Sequence, residues 1–223
     1  RIMKKASKII AIFIFAMSVF VGIGAVEVFA DTTSQTNTVN EPIKFIAKQK
    51  GKKVVLKWNK SKNVKGYIIY KNGKKFKTLK KNKLIDKKVK KNKVYSYKIK
   101  AYTFANGKKV FSNSGQTVSI IVTDKKSKKV NAGRFKYIKN QYTISLNGKV
   151  KLQGEAYPSK KLKKKKVLSR KLTWSSSDTS LATVNARGVV KANNNMKTGT
   201  VIIYAKAHNG LTKKVKINIE NYA

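Results

Sequence analysis

The 223-residue sequence contains no cysteine, two prolines and a single histidine. The absence of cysteine excludes disulfide bonds, iron–sulfur clusters and zinc sites with thiolate ligands. His208 lies beside Asn209 and Gly210 in a predicted turn, where we expect a solvated side chain rather than a ligand or a base. A Ser-His-Asp triad would need this histidine, and the sequence has no nucleophile turn of the Gly-x-Ser-x-Gly type.

Acidic residues are scarce as well, with 8 Asp and Glu against 53 Lys and Arg and a net charge of +45. Glycosidase chemistry needs two carboxyl groups at one sugar bond, and the acids after residue 30 are scattered. They are Asp31, Glu41, Asp86, Asp124, Glu155, Asp178 and Glu220. A calcium site at Asp178 or Glu155 is a weaker alternative, because calcium prefers several carboxylates, and we expect Asp178 to cap its own turn. We therefore predict no enzyme activity, no cofactor and no metal.

Arginine is the rare cation, and lysine carries almost all of the positive charge. The four arginines are Arg1, Arg134, Arg170 and Arg187. Sequence-specific recognition of nucleic acid depends on the planar fork of arginine, so we do not expect it here. A field of this sign attracts polyanions. Alternatively, the lysines reflect the codon bias of an AT-rich genome, although that does not explain the scarcity of acids.

Residues 1–30 have the pattern of a secretory signal peptide. A basic start is followed by an apolar run over residues 9–26 and by Val28-Phe29-Ala30 before Asp31. An uncleaved membrane anchor is the alternative. Residues 31–40 predict a flexible polar spacer. The sequence ends without a Leu-Pro-x-Thr-Gly signal, so we expect an extracellular protein, released or held at the cell wall by charge, with no membrane segment after cleavage.

Residues 41–124 alternate apolar and polar residues between Gly and Asn turns, which predicts antiparallel strands. Pro42, Trp58, GYIIYKNG from Gly66, VYSYKIKAYT from Val94 and FSNSG from Phe111 together resemble a fibronectin type III domain. The resemblance implies that Trp58 is the core tryptophan and that the hydroxyl of Tyr95 pins the corner before its strand. No Arg-Gly-Asp tripeptide is present, which excludes integrin binding by that route.

Residues 125–133 predict a short, exposed basic linker, and residues 134–223 a second domain. In LTWSSSDTSLATVNARGVVKA, from Leu172, Trp174 alternates with polar residues, SSSDTS favours a turn, and Gly188 permits a hairpin between Val184 and the next strand. This run, with GTVIIYAKA from Gly199, resembles the bacterial Ig-like group 2 domain of surface proteins from low-GC Gram-positive bacteria. We read Trp174 and Val184 as core. The predicted fold is therefore all-β, with two tandem Ig-like antiparallel β-sandwiches.

Two segments concentrate positive charge beyond the general background, residues 74–93 and residues 160–171. Lysines on edge strands also prevent aggregation, so a solvated edge competes with a binding site in each. The predicted polyanion-binding residues are Lys160, Lys161, Lys163, Lys164, Lys165, Lys166, Arg170 and Lys171, with Lys74, Lys75, Lys77, Lys80 and Lys81. Tyr102, with Phe104 and Phe111, is the candidate exposed aromatic group for stacking on sugars or bases.

These features predict a secreted, monomeric, non-catalytic protein that presents lysine patches to an anionic cell-wall or matrix polymer. Teichoic acid, extracellular DNA and sulfated host glycans all qualify as partners. Two alternatives stay open. One is an adhesin or assembly module that recognises a protein or carbohydrate through loops or strand edges, with incidental charge. The other is a pair of spacer domains from a truncated secreted hydrolase.

Overall fold

A computed structural model describes Val39, Pro42 and residues 44–113 and 115–221. The predicted signal peptide and most of the spacer lie outside the described residues. Within the described residues the regular elements are nineteen strands and one 3₁₀ turn, at Lys160–Leu162. The predicted all-β, Ig-like fold is confirmed. The finer assignment to the two families stays a prediction.

The first sandwich is built from eight strands in two sheets. They are β1 (Ile46–Lys50), β2 (Lys53–Lys57), β3 (Gly66–Lys71), β4 (Lys74–Leu79), β5 (Lys83–Asp86), β6 (Val94–Ala105), β7 (Lys108–Phe111) and β8 (Gln116–Ile121). One sheet has the order β1-β2-β5, and the other has the order β4-β3-β6, with β7 and β8 both paired to β6. All of these pairs are antiparallel.

The core between these sheets follows the alternation seen in the sequence. Tyr97, Ile99 and Ala101 of β6 are fully buried, because every second side chain of a strand faces the same side. Trp58 is 3% exposed and contacts Phe45 and Tyr67 edge to face. The core also includes Val39, a residue of the predicted spacer.

A buried ion pair joins the two sheets of the first sandwich. Asp86, at the end of β5, accepts hydrogen bonds from Lys71 Nζ at 2.6 Å and from the Tyr97 hydroxyl at 2.6 Å. Burial alone would raise the pKa of Asp86, but the hydrogen bonds from Lys71, Tyr97 and the Lys88 amide outweigh burial and lower it. Burial, and then the bond to Asp86, raises the pKa of Tyr97.

Strands β9 to β19 follow the first sandwich. They are β9 (Lys129–Val130), β10 (Arg134–Lys136), β11 (Gln141–Ser145), β12 (Lys149–Lys151), β13 (Glu155–Tyr157), β14 (Lys166–Val167), β15 (Thr173–Ser176), β16 (Ala182–Val184), β17 (Val189–Ala192), β18 (Gly199–Lys206) and β19 (Thr212–Glu220). The two larger sheets have the orders β11-β19-β18-β15 and β12-β17-β16, and β10-β13 and β9-β14 are separate pairs. The pairs β11-β19 and β9-β14 are parallel.

The segment 172–192 contributes to both larger sheets of the second sandwich. Trp174 of β15 is half-buried against the second core, and β16 and β17 form the hairpin that the sequence predicts. Gly188 has φ +78°, and the Asn185 side chain accepts hydrogen bonds from the amides of Arg187 and Val189. The hairpin turn is therefore closed by the local Asx chemistry that favours such turns.

The turn after β18 packs directly on the first sandwich. The carbonyl of Asn209 accepts from the amide of Ala47 on β1 at 2.9 Å, and the carbonyl of His208 accepts from the amide of Ser119 on β8 at 2.6 Å. A Cβ on Gly210 would lie 2.1 Å from the carbonyl oxygen of Phe45. Only glycine fits this contact, which fixes the two sandwiches together.

The predicted linker at residues 125–133 is not fully exposed. Ser127, Val130 and Ala132 are buried, so the prediction of an exposed segment is wrong at these residues. The side chain of Asn131 both donates to the carbonyl and accepts from the amide of Ile121, as a neighbouring strand would. The sequence pattern missed this because the linker has too few apolar residues to indicate burial.

Candidate functional site

The predicted polyanion-binding residues are all exposed in the structure except Lys165, which is half-buried. The exception explains how the basic insert, residues 160–171, is held. Lys165 Nζ donates to the carbonyl oxygens of Lys125 at 2.6 Å and Ser127 at 2.8 Å, and β14 pairs with β9 of the linker. The insert is therefore tied to the linker and is not a free loop.

The loop before β6 joins the same place. Asn92 Oδ1 accepts a hydrogen bond from the Ser127 hydroxyl, and the Asn92 amide donates to the carbonyl of Val122. Three basic segments that are distant in sequence are thus brought together at one end of the first sandwich. We call their exposed lysines the basic junction: Lys90, Lys91, Lys93, Lys125, Lys126, Lys128, Lys129, Lys160, Lys161, Lys163, Lys164 and Lys166.

Within residues 90–93, 124–129 and 160–166, all of which the structure describes, the one carboxylate is Asp124. It accepts from the Ser127 hydroxyl at 3.0 Å and the Lys126 amide at 3.0 Å, and Lys91 Nζ lies 3.6 Å away. The hydrogen bond from Ser127 is the main reason that the pKa of Asp124 is lowered. One ionised acid among twelve lysines leaves most of the positive charge without an internal partner.

The five lysines named at residues 74–81 do not join the basic junction, whereas Lys90, Lys91 and Lys93, at the end of the predicted segment 74–93, do. Lys74, Lys75 and Lys77 lie on β4, the outer strand of its sheet, and Lys80 and Lys81 follow in the next turn. Strands β3 and β6 separate β4 from β8, which leads into the linker. The lysines of the linker, which complete the site instead, were visible in the sequence as KKSKK, but their proximity to the insert was not.

The predicted exposed aromatic group is wrong for its first member. Tyr102 is 8% exposed, because it pairs across the sheet with Gly66, and its ring lies over the space that a side chain there would fill. Phe104 and Phe111 are 53% and 39% exposed, with ring centroids 6.0 Å and 6.5 Å from that of Tyr102. The exposed aromatic surface therefore consists of the two phenylalanines.

His208 is not solvated as predicted. Both ring nitrogens are shielded from solvent, and neither makes a hydrogen bond of normal geometry within the described part of the chain. The nearby backbone of Ser169 acts to raise the pKa of His208, against the effect of burial. Burial dominates and lowers the pKa of His208. The Asn-Gly turn predicted exposure, but the turn lies against the first sandwich. The shielding of both ring nitrogens favours the neutral form of the imidazole.

The residues predicted as core lie against the two cores. Trp58 is buried in the first, and Tyr95 packs against it with its hydroxyl accepting from the Lys90 amide at 2.8 Å, the contact that the resemblance implies. Trp174 and Val184 are half-buried against the second core.

A shallow depression of about 320 Å³ in the first sandwich is lined by Lys60, Ser61, Val64, Lys65, Gly66, Tyr67 and Lys80.

Two further features bear on the type of site. Across the described ranges, no three His, Asp or Glu side chains are grouped closely enough to hold a metal ion. The same residues include no helix with the length and apolar character needed to cross a membrane. Most of the exposed charged side chains in these ranges are lysines.

No protein-family model matches the chain, and no curated protein matches it in sequence. Among solved structures, it is similar to the spore cortex lytic enzyme SleM of Clostridium perfringens, with 23% identity over 39% of this chain and 28% of that chain and a TM-score of 0.31. It is also similar to the central fibronectin-III array of RIM-binding protein, with 13% identity, coverage of 84% and 71%, and a TM-score of 0.32.

The insect immune protein hemolin is a third similar structure, with 16% identity, coverage of 84% and 48%, and a TM-score of 0.26. The chain thus spans 28% of the length of the spore enzyme and about half of hemolin. At these scores the fold assignment depends on the strand order and the cores described above.

Proposed function

We propose that this protein is a non-catalytic binding module that holds anionic polymers at the basic junction. The supporting observation is the anchoring of the insert by Lys165, which places twelve exposed lysines on three adjoining segments. Charges within about 8 Å of one another act together at physiological ionic strength. A polymer with regularly spaced anions can engage several of these lysines at once and release its counterions.

The chemistry of lysine favours charge density over sequence in the ligand. An ammonium group on a flexible stem is a hydrated point charge without the fixed geometry of a guanidinium group. Teichoic acid, extracellular DNA and sulfated glycans each supply closely spaced anions, and the proposed setting is the outside of the producing cell. Specificity among these polymers needs a further feature.

The test compares two variants that lose the same number of charges. The junction variant carries Lys160→Gln, Lys161→Gln, Lys163→Gln and Lys164→Gln. The control variant carries Lys74→Gln, Lys75→Gln, Lys77→Gln and Lys80→Gln on and beside the edge strand β4. Retention on heparin and on DNA is measured over a series of salt concentrations, together with thermal unfolding of each variant.

For DNA, the logarithm of affinity falls with the logarithm of salt concentration by about 0.7 to 0.9 per phosphate engaged. We expect the junction variant to lower this slope by about 3 if all four lysines make contacts. The control variant should change it much less. If both variants lower the salt dependence equally, the polymer is attracted by the overall positive charge of the protein and not by the basic junction. Retention that does not depend on salt would reject the function.

The exposed aromatic surface favours a second candidate, recognition of an uncharged partner by the hairpin of β6 and β7. Phe104 and Phe111 are more exposed than large apolar side chains usually are, and both share a face of the sheet with Tyr102. Replacing both with serine should abolish cell-surface attachment at high salt under this candidate. If attachment at high salt is absent in the unmodified protein, the candidate is excluded.

A further inference from the structure

Two of the three arginines in the described residues meet at one tyrosine, although the sequence has only four arginines among its 53 basic residues. The guanidinium carbons of Arg134 and Arg170 lie 5.8 Å and 4.8 Å from the ring centroid of Tyr157, and Lys136 Nζ lies 4.5 Å from it. Cations at these distances are attracted to the ring.

The sheet positions these groups. Arg134 on β10 is directly opposite Tyr157 on β13, and Lys136 is opposite Glu155, so all four side chains share one face while Phe135 and Ala156 lie on the other. Arg170 comes from the other side of β13, where its carbonyl accepts from the amide of Ala156. The two guanidinium groups therefore reach Tyr157 from neighbouring backbone segments on both sides of its strand.

The donors of these arginines are only partly used. Arg134 Nε donates to the Pro158 carbonyl at 2.9 Å, which orients the guanidinium group, and no described residue accepts from its terminal nitrogens. Arg170 makes one long contact of 3.5 Å to Glu155, and its side chain is 61% exposed. With Lys136, the cluster has three cations and one carboxylate, so its positive charge is not neutralised.

Tyr137 completes the cluster in an unusual conformation. It is 64% exposed and has φ +62°, a region that large side chains rarely occupy. This conformation places its ring 6.3 Å from that of Tyr157 at an angle of 74°. A hydrogen bond with Tyr137 is the main reason that the pKa of Tyr157 is raised. Strained residues concentrate at functional sites.

We propose that Arg134, Arg170 and Tyr137, arranged around Tyr157, bind one carboxylated or sulfated sugar unit of an acidic polysaccharide. The guanidinium forks match the oxygen pair of a carboxylate or sulfate, which an ammonium group does not. The exposed ring of Tyr137 offers an apolar surface to the C–H groups of the sugar. This inference rests on the proposed function, because the site adjoins the insert, to which Arg170 belongs, and selects among the polymers that the basic junction attracts.

The geometry favours a sugar unit over single-stranded nucleic acid. Nucleic-acid platforms stack successive bases on open aromatic faces. Here the ring of Tyr157 is already surrounded by three cations at 4.5 to 5.8 Å, so only Tyr137 is free to stack. One open ring beside paired guanidinium groups fits a single anionic ring and not a run of bases.

The test uses variants of the full chain that keep charge or relieve strain. Arg134→Lys with Arg170→Lys keeps every charge but removes both forks, and Tyr137→Asn removes the ring while placing a residue that tolerates positive φ. Affinities are measured for a heparin oligosaccharide, for linear polyphosphate of matched charge and for a single-stranded oligonucleotide. Thermal unfolding checks the fold of each variant.

We expect both variants to bind the oligosaccharide about tenfold more weakly, the equivalent of one charge-assisted hydrogen bond. Only Tyr137→Asn should leave the affinity for polyphosphate unchanged, because guanidinium forks also match phosphate oxygens, whereas polyphosphate has no ring for Tyr137 to contact. Lys163→Gln with Lys164→Gln should weaken both ligands alike. If all polymers bind and neither site variant changes any affinity, this inference is wrong and the proposed function stands. Loss of oligonucleotide binding alone would assign the site to bases. Absence of salt-dependent binding in the unmodified protein would reject the proposed function itself.

Discussion

The two sandwiches are stabilised in different ways, although both are Ig-like. The first encloses large aromatic rings and a buried ion pair between Lys71 and Asp86 that connects its two sheets. The second core consists of aliphatic and alanine side chains with half-buried aromatic residues at its margin. The first sandwich should therefore be sensitive to single polar substitutions and to acid, whereas the second should depend mainly on packing.

The largest expected effect is on the buried ion pair. Asp86→Asn leaves the half-buried Lys71 ammonium group without a counter-charge, and we expect the first sandwich to lose about 3 kcal/mol of stability. Because the pKa of Asp86 is lowered, its contribution is present above the unfolded value of 3.8 and disappears as the pH falls through the folded value.

Hydrogen exchange of the amides of β3 and β6 measures this loss in the first sandwich. Ile217→Val in β19 is the matched change in the second, where deletion of one methyl group should cost about 1 kcal/mol at any pH. If the stability losses of Asp86→Asn and Ile217→Val depend on pH to the same extent, the proposed difference between the two sandwiches is wrong.

The next effect concerns the contact between the sandwiches. Gly210→Ala places a Cβ against the Phe45 carbonyl at a residue with φ +84°, and we expect a loss of about 2 kcal/mol through backbone shifts. Gly107→Ala is the control, since its φ is +72° but nothing lies within 4 Å of the added atom. Chemical denaturation should show a separation of the two unfolding transitions only in the first variant. A single shared transition in both would mean that this turn does not couple them.

A smaller effect is expected from a single hydroxyl group. Tyr95→Phe removes the acceptor of the Lys90 amide and should destabilise the first sandwich by about 1 kcal/mol. Tyr142→Phe is the equivalent change in the second sandwich, where no described residue hydrogen-bonds the hydroxyl, and we expect almost no change. Urea denaturation compares the two. A larger loss for Tyr142→Phe would reverse the order proposed here.

The smallest effect is the pH dependence due to His208. Its folded-state pKa is lowered, so below the unfolded value of 6.5 the unfolded chain binds a proton that the folded chain does not. Stability should therefore fall as the pH drops from about 6.5 toward the folded-state pKa. His208→Gln should remove this slope without affecting the acid dependence due to Asp86, which lies at lower pH. An unchanged slope in the variant would show that another group titrates.

The sequence indicated local structure well where the chemistry is local. Asn185 and Gly188 predict the hairpin of β16 and β17, since the side chain and the positive φ that close it are both intrinsic to those residues. The alternation around Trp58 and Tyr97 likewise predicts buried strands. Neither depends on a distant part of the chain.

The sequence could not indicate contacts that only the tertiary structure creates. The pairing of β9 with β14 involves two residues on each side, and its anchor is the side chain of Lys165 on backbone carbonyls, for which residue identity carries little information. Tyr102 is buried only because Gly66 lies opposite, and the ring nitrogens of His208 are shielded only because its turn meets another sheet. The sequence therefore predicted only part of the candidate site. It identified the insert as a basic segment, but it did not predict that the insert lies beside the linker.

The parallel pairing of β11 with β19 also determines how the second sandwich would respond to pulling. The chain enters this sheet through β11 and leaves it through β19, and the two strands run in the same direction over five residue pairs. Tension applied along the chain draws the strands past each other lengthwise, so their hydrogen bonds share the load and must break together. A module attached to a polymer at one end would thereby resist mechanical extraction from the surface that holds it.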